Sequence, residues 1–428
     1  MANGASRQMQ GSLISRVRSS RTLSDAWTAV RRNGRVSKSE RTREEIAAFE
    51  SDALVNLRRI QGQLQNGRFT FQKSIGKPIL KKNKKSIRPL VISPVVSRIV
   101  QRAIHEVLAD LPTLQPYVRT PYSFGGIRKE KGTDKLSAVP AAIQSVLDAI
   151  GNGANFIVRS DISDFFTKIP KPAVTEIVSR ASKDKQFIEL FSQAIKVELE
   201  NMAALRHNAA NFPIEDIGVA QGNSLSTLLG NLYLHEFDAE MNMSRDVMCL
   251  RYIDDFLILA PSKSLAENTF SKALGLLSKL GLDVSKEKTQ RGNATEGFEF
   301  LGINLQNGLI RPCKNKRDEH VNSIRETLSV SSCGFNAYAQ KGIIEKNLGF
   351  IPTMTKVRGM TQGWIKSYWF CNDGACLASM NSQIDALIKT YVKSYANAYR
   401  ASIENGWALM GLEKLKIVED RKFEWPSR

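Results

Sequence analysis

Long apolar runs are missing from this chain of 428 residues. No stretch reaches the ~18 apolar residues that a membrane-spanning helix needs. Residues 1–24 carry Arg and Ser but lack the apolar core of a secretory signal. Cysteine is scarce and ill-spaced: Cys249, Cys313, Cys333, Cys371 and Cys376 are odd in number, and no pair has CxxC spacing. That pattern excludes a disulfide framework and a zinc ribbon, and it predicts a reducing, cytoplasmic setting. Internal repeats and low-complexity tracts are absent too. With 42% hydrophobic residues a sizeable core is available, so global disorder is excluded. The length suits two or three domains. The first quarter is short of acid: residues 1–102 hold 22 Lys and Arg against six Asp and Glu, in a chain whose net charge is +19. Such an excess predicts a polyanionic partner. Nucleic acid suits it better than a membrane, because the basic stretches lack a strong apolar helical face.

Residues 1–24 read as a basic, flexible arm. Ser24 is a candidate cap for a short helix. Ser39 or Thr42 would cap a longer one through Ile46, Phe49, Leu54, Leu57, Ile60 and Leu64, ended by Gly67. Phe69 to Ile92 reads as strand, basic turn, strand, with Lys81, Lys82, Lys84 and Lys85 at the tip. Ser97 to Leu111 is an amphipathic helix carrying Arg98, Gln101 and Arg102. Further helices are expected over 135–150, 172–205, 228–242 and 265–280. From 314 onward the chain reads as helices, and Trp364 and Trp369 read as bundle core.

Three short stretches carry the chemistry. The first is Leu-Arg-Tyr-Ile-Asp-Asp-Phe-Leu-Ile-Leu-Ala, Leu250 to Ala260, which reads as a buried hairpin with Asp254 and Asp255 where it turns. An Asp-Asp turn is often just solvated. Held rigidly near a third carboxylate, the pair would instead bind a divalent metal through hard oxygen ligands. The second is Phe156-Ile-Val, a buried-strand candidate that delivers Asp161 at its end, where a helix cap is the ordinary alternative. The third is Gly218-Val-Ala-Gln-Gly-Asn-Ser-Leu-Ser, a small-residue loop opening a helix, with Gln221 at its centre.

Together, in this order, the three stretches resemble the palm of reverse transcriptases. The resemblance runs from about Asp25 to about Phe370. Arg88-Pro-Leu-Val-Ile with Arg98-Ile-Val-Gln is similar to the fingers of bacterial, group II intron-like members. Tyr122-Ser-Phe-Gly-Gly, Phe300-Leu-Gly302, and Arg358-Gly with Gly363-Trp364 are similar to the segment after the fingers, the primer grip and the thumb. The resemblance implies an α+β right-hand polymerase: a flexible arm (1–24), an N-terminal extension with fingers (25–155), a palm of antiparallel sheet like that of RNA-recognition domains (156–312), and a helical thumb with a C-terminal extension (313–428).

It also implies roles. Asp161, the Ile162 carbonyl, Asp254 and a supporting Asp255 would hold two Mg²⁺ ions. Phe166 would be the steric gate against a ribose 2′-hydroxyl. Gln221 would contact the nucleotide, and Arg88 with Lys84 or Lys85 would embrace its triphosphate. Lys288 would serve the departing pyrophosphate, with an ordinary exposed lysine as the alternative. Arg31, Arg32, Lys81, Lys82, Arg98, Arg102, Arg358 and Trp364 would meet nucleic acid.

Ala220 and Thr227 depart from the prolines that many relatives carry. Val-Thr-Gly and Asn-Ala-x-x-His elements are missing, which disfavours a retron enzyme, and the Gln-Gly loop disfavours the diversity-generating type. A chain without endonuclease or ribonuclease H modules looks most like bacterial, defence-associated (antiphage) reverse transcriptases, their type 2 among them, copying a bound non-coding RNA into cDNA from dNTPs. The rival expectations are an RNA-binding, maturase-like protein and a protein-primed or template-independent DNA polymerase.

Overall fold

The structure is a computed structural model that describes residues 12–81, 87–127, 135–136, 138–401 and 406–413. Internal contacts divide the chain into two units, Met1–Asn293 and Ala294–Arg428.

The first unit opens with helices α1 (Leu13–Val17), α2 (Ser20–Arg35), α3 (Glu40–Ser51) and α4 (Ala53–Gln65). The expected flexible arm is therefore helical from Leu13 onward. Leu13, Val17 and Leu23 are buried in the core, and the cap of α2 is Ser19 rather than Ser24. Three apolar residues spaced for burial outweigh the basic composition around them. The long helix expected through Leu64 breaks at Asp52, whose φ of −129° is not helical. The hairpin β1 (Ile75–Leu80) and β2 (Ile87–Ile92) follows, then α5 (Val95–Ala109), which packs on α2. The hairpin's tip lies outside the described residues.

After the short α6 (Gln115–Val118) and α7 (Ala138–Gly151) comes β3 (Phe156–Asp161), then α8 (Phe165–Lys168). The expected helix over 172–205 is α9 (Lys171–Ser182), α10 (Lys185–Ile195) and α11 (Met202–Leu205), broken first at left-handed Lys183. The expected helix over 228–242 is likewise two, α12 (Ser226–Tyr233) and α13 (His235–Met241), parted at Leu234. Strands β4 (Met248–Tyr252) and β5 (Asp255–Ala260), helix α14 (Lys263–Lys279) and β6 (Gln290–Asn293) complete the unit.

Its sheet has the order β4-β5-β3-β6, antiparallel throughout. Val158, Phe256 and Ile258 are buried in one core with Phe237 of α13 and Phe270 of α14. Residues of opposite parity (Ile157, Leu250, Leu257 and Leu259) are equally buried on the second face, and α7 packs on β4 and β5. Burial on both faces explains why β5 reads as a continuous apolar run rather than an alternating one. Each such side chain contributes roughly 1.5–3 kcal/mol.

The second unit has its own sheet, β7 (Phe298–Phe300), β8 (Ile303–Gln306) and β9 (Leu309–Pro312), in that order. Among the described residues none of these strands pairs with the first sheet, and the contact division between the units falls before β7. Helices α15 (Lys314–Lys341), α16 (Phe350–Ser367), α17 (Gly374–Ala401) and α18 (Gly406–Met410) follow. Ile324, Leu328, Phe335, Val357 and Tyr391 form their core, and Phe350 stacks on Tyr391 at 5.6 Å. The expectation of bundle-core tryptophans fails for Trp369, which is 61% exposed. Trp364 is half-buried, stacked on His320 at 5.2 Å and against Tyr368 at 4.7 Å.

Candidate active site

A cleft of about 900 Å³ opens in the first unit. Its size is that of a site for a substrate of nucleotide dimensions or larger. Most of the residues expected to act together line it: Lys81, Arg88, Arg98, Arg102, Asp161, Ile162, Phe166, Gln221, Asp254 and Lys288.

Central position in the sheet explains the placement of Asp161. Strand β3 is flanked by β5 and β6, and Asp161 ends it directly opposite Asp255 of β5. Beyond the strand the backbone stays fixed. Ser285 N donates to Asp161 O at 2.8 Å, and Ser163 N donates to Asp283 O at 2.7 Å. Ile162 N donates to the Asp254 carbonyl at 2.8 Å, which ties the end of β3 to the turn of the β4–β5 hairpin. The Ile162 side chain belongs to the core, so backbone is what this residue can offer the cleft.

The hairpin differs from expectation in one respect. Tyr252 pairs with Asp255, so the turn residues are Ile253 and Asp254, and Asp255 already belongs to β5. The adjacent carboxylates part company. Asp254 lines the cleft; Asp255, expected as a metal ligand beside it, is held by Arg159 through a forked pair of 3.1 and 2.7 Å. Arg159 lies two residues before Asp161 on the same strand face, a diagonal cross-strand neighbour of Asp255. Spacing alone could have suggested it, but only the register identifies the partner.

Charge in the cleft is frustrated at both ends. Burial, then the neighbouring Asp161, pushes the Asp254 carboxyl up to about 6. The Lys288 ammonium sits 2.6 Å from Asp161 Oδ2, with Glu287 and Ser285 beside it in the wall. Asp164, which sequence reasoning did not single out, also lines the cleft and takes Lys81 at 2.9 Å. Farther along, burial pushes the guanidinium groups of Arg98 and Arg102 down, and Arg32 adds repulsion at Arg102. Glu106 lies 2.6 Å from Arg102.

Phe166, in α8, is half-buried in the wall and packs on Phe165 at 5.3 Å between ring centroids. Gln221 is tied to the β1–β2 hairpin, since Val91 N donates to its carbonyl at 2.9 Å. The next residue must be glycine twice over: Gly222 has φ +108°, and a Cβ there would lie 3.0 Å from Val91 O. Four expected contact residues are elsewhere. Arg31 pairs with Glu50 at 3.2 Å, Arg32 is exposed without lining the cleft, and Arg358 and Trp364 belong to the second unit. Lys82, Lys84 and Lys85 lie outside the described residues. Among the described residues, no helix is long and apolar enough to cross a membrane.

The model of the family "Reverse transcriptase (RNA-dependent DNA polymerase)" matches residues 79–305, more than half of the chain. Protein YkfC of Escherichia coli (strain K12) is 25% identical over 261 residues, covering 52% of this chain and 64% of that protein. The group II intron-encoded protein LtrA of Lactococcus lactis subsp. cremoris is 26% identical over 185 residues, covering 42% of this chain and 27% of LtrA. The chain thus spans less than two thirds of the length of either relative. Among solved structures, apo telomerase from Candida tropicalis, truncated from its C-terminal domain, aligns at a TM-score of 0.41 with 14% identity, over 57% of this chain and 55% of that one.

Proposed function

The chain belongs to the reverse transcriptase family, and on that premise we propose that its cleft copies a bound RNA into DNA. The helix-and-antiparallel-sheet architecture of that family is the fold class expected of the sequence. The observation that carries the reading is the gathering of Asp161, Asp254, Phe166, Gln221, Arg88 and Lys288, drawn from distant parts of the chain, into one cleft.

The donor set fits divalent cations, on which this family generally depends. Asp161, Asp254 and the Ile162 carbonyl offer hard oxygens. Burial first and the neighbouring Asp161 second raise the Asp254 carboxyl, and the Lys288 ammonium sits on Asp161, so a cation between the two carboxylates would relieve both. Among the described residues no group of three or more His, Cys, Asp or Glu side chains is placed to hold a metal ion by itself. Mg²⁺ does not need one, since it takes one or two carboxylates and completes its shell with substrate phosphates and water. Asp161, Ile162 and Asp254 would hold two such ions, with Asp255 supporting from behind through Arg159. Held there, such ions would supply activation of the attacking 3′-hydroxyl and neutralisation of the departing pyrophosphate.

The chain's own residues do the rest. Arg88, with Lys84 or Lys85, grips the triphosphate, and Lys81 meets nucleic acid. Gln221 orients the nucleotide, and the Phe166 ring excludes a 2′-hydroxyl. Lys288 holds a proton where a pyrophosphate oxygen can take it. Arg32, Arg98 and Arg102 meet the RNA, aided by Arg31 and Lys82, and Arg358 and Trp364 meet the growing duplex. Residues 25–155, 156–312 and 313–428 then act as fingers, palm and thumb. The template is a structured non-coding RNA, and the role is antiphage defence in the bacterial cytoplasm. That role rests on the resemblance to defence-associated members; the retained Gln-Gly loop and the missing retron elements only disfavour the diversity-generating and retron types.

The test is extension of a primed RNA template by the wild type and by Asp254→Ala/Asp255→Ala, with RNA affinity measured alongside. Extension by the wild type alone, at equal affinity, is expected. Equal extension by both overturns the assignment. Sequencing the nucleic acid bound in native cells identifies the template: one RNA in both proteins, its cDNA only in the wild type.

A further inference from the structure

The side chain of Arg251 is 1% exposed and is the largest fully buried side chain among the described residues. It lies on β4, two residues before the catalytic turn. Its guanidinium makes a fork on Asp238 of α13, with Nε to Oδ1 at 2.6 Å and Nη2 to Oδ2 at 2.5 Å. Its Nη1 donates to Asn231 Oδ1 of α12 at 3.1 Å, and also to the carbonyl of Ile253 at 2.8 Å. This last bond holds the peptide that joins Ile253 to Asp254.

That peptide needs holding. Ile253 has φ +64°, a left-handed conformation that is a genuine outlier for a β-branched residue. The cover over it is equally specific. Arg251 N donates to Tyr122 O at 2.8 Å, and Phe124 N donates to Arg251 O at 3.0 Å, so the 122–126 loop lies along β4. Asn231 Nδ2 donates to Gly125 O at 2.9 Å, and Ser123 Oγ meets Asn231 Oδ1 at 3.3 Å. A Cβ on Gly125 would lie 2.5 Å from Ile253 Cγ1 and 2.8 Å from Ile253 N. Loop, helices and strand therefore converge on one strained residue.

We propose that Arg251, braced by Asp238 and Asn231, is a positioning residue that clamps the Ile253 peptide and so sets the Asp254 carboxylate in the cleft. A buried ion pair kept only for stability needs no bond to the turn, and apolar replacement of such a pair is often neutral. The clamp deepens the polymerase reading and rests on it for its rate readout, but metal affinity tests it separately.

The experiment compares the wild type with Arg251→Met/Asp238→Leu and with Arg251→Lys. Each is checked by thermal melting, then by Mn²⁺ titration followed by electron paramagnetic resonance, and by single-turnover dNTP incorporation. A folded variant is expected to bind Mn²⁺ about 10-fold more weakly and to incorporate about 100-fold more slowly, with little change in dNTP KM, as for a displaced reacting group. Adding Ile253→Gly to Arg251→Lys is expected to return about 10-fold of the rate, since glycine takes positive φ without strain. Unchanged Mn²⁺ affinity and rate in a folded variant overturn the clamp. If the paired variant does not fold, Arg251→Lys with and without Ile253→Gly decides, and absence of rescue overturns it. If the wild type incorporates nothing, the polymerase reading falls, while the Mn²⁺ shift still decides the clamp.

Discussion

The two ends of the cleft oppose each other in charge and share a predicament. At one end the Asp254 carboxyl is pushed up by burial beside Asp161; at the other the Arg98 and Arg102 guanidinium groups are pushed down by burial. Each end keeps charge of one sign where desolvation disfavours it. The acidic end answers with ammonium groups from the chain, Lys288 on Asp161 and Lys81 on Asp164. The basic end answers with Glu106 and, more remotely, Glu45. On the reading proposed above, divalent cations would complete one end and phosphates the other. Asp255 is the instructive contrast: burial pushes its carboxyl up as well, but there a forked ion pair with Arg159 of the neighbouring strand opposes the shift.

The sharpest break in the comparison separates the adjacent carboxylates. Asp254→Ala is expected to lower primer extension by about 10⁴-fold, the scale of losing a catalytic group. Asp255→Ala, acting through Arg159, should cost about 10- to 100-fold in rate. It should also lower stability, since it strands a half-buried guanidinium. Single-turnover kinetics and melting curves separate the two; equal losses at equal stability would erase the distinction.

At the basic end, Arg98→Ala/Arg102→Ala should weaken RNA binding about 10- to 100-fold and flatten its logarithmic salt dependence by about one unit for each phosphate no longer bound. Filter binding across a salt series reads both, and an unchanged slope removes the arginines from the phosphate path. In the wall between, Phe166→Ala should raise ribonucleotide use relative to deoxynucleotide use by about 10-fold or more. Competition between the two nucleotide types in extension assays measures this. The smallest effect is on the fold. Asp254→Asn removes a charge that burial and Asp161 disfavour, so the cation-free protein should gain on the order of 1–3 kcal/mol at neutral pH. Melting should show this gain, together with a smaller stabilisation by Mg²⁺ than the wild type shows.

Local patterns were readable where one residue type admits few conformations or where burial follows a period. The hairpin around Asp254, the strand ending in Asp161, the Gln221–Gly222 loop and the basic excess all announce themselves in this way. Helix lengths were less readable. The breaks at Asp52, Lys183 and Leu234 fall where neighbouring elements turn the chain, and apolar spacing continues across them. The helical start at Leu13 was hidden because basic composition masks three core residues.

By itself the sequence determined which carboxylates are available and that strands deliver them, because these depend on residue type and short-range period. Which carboxylate enters the cleft was decided only by tertiary structure. Strand register sets Asp255 opposite Asp161 and within reach of Arg159, while Asp254 stays in the turn. The clamp on that turn joins Arg251 to groups on two helices and one loop. Such contacts arise when distant segments pack, and no local periodicity records them.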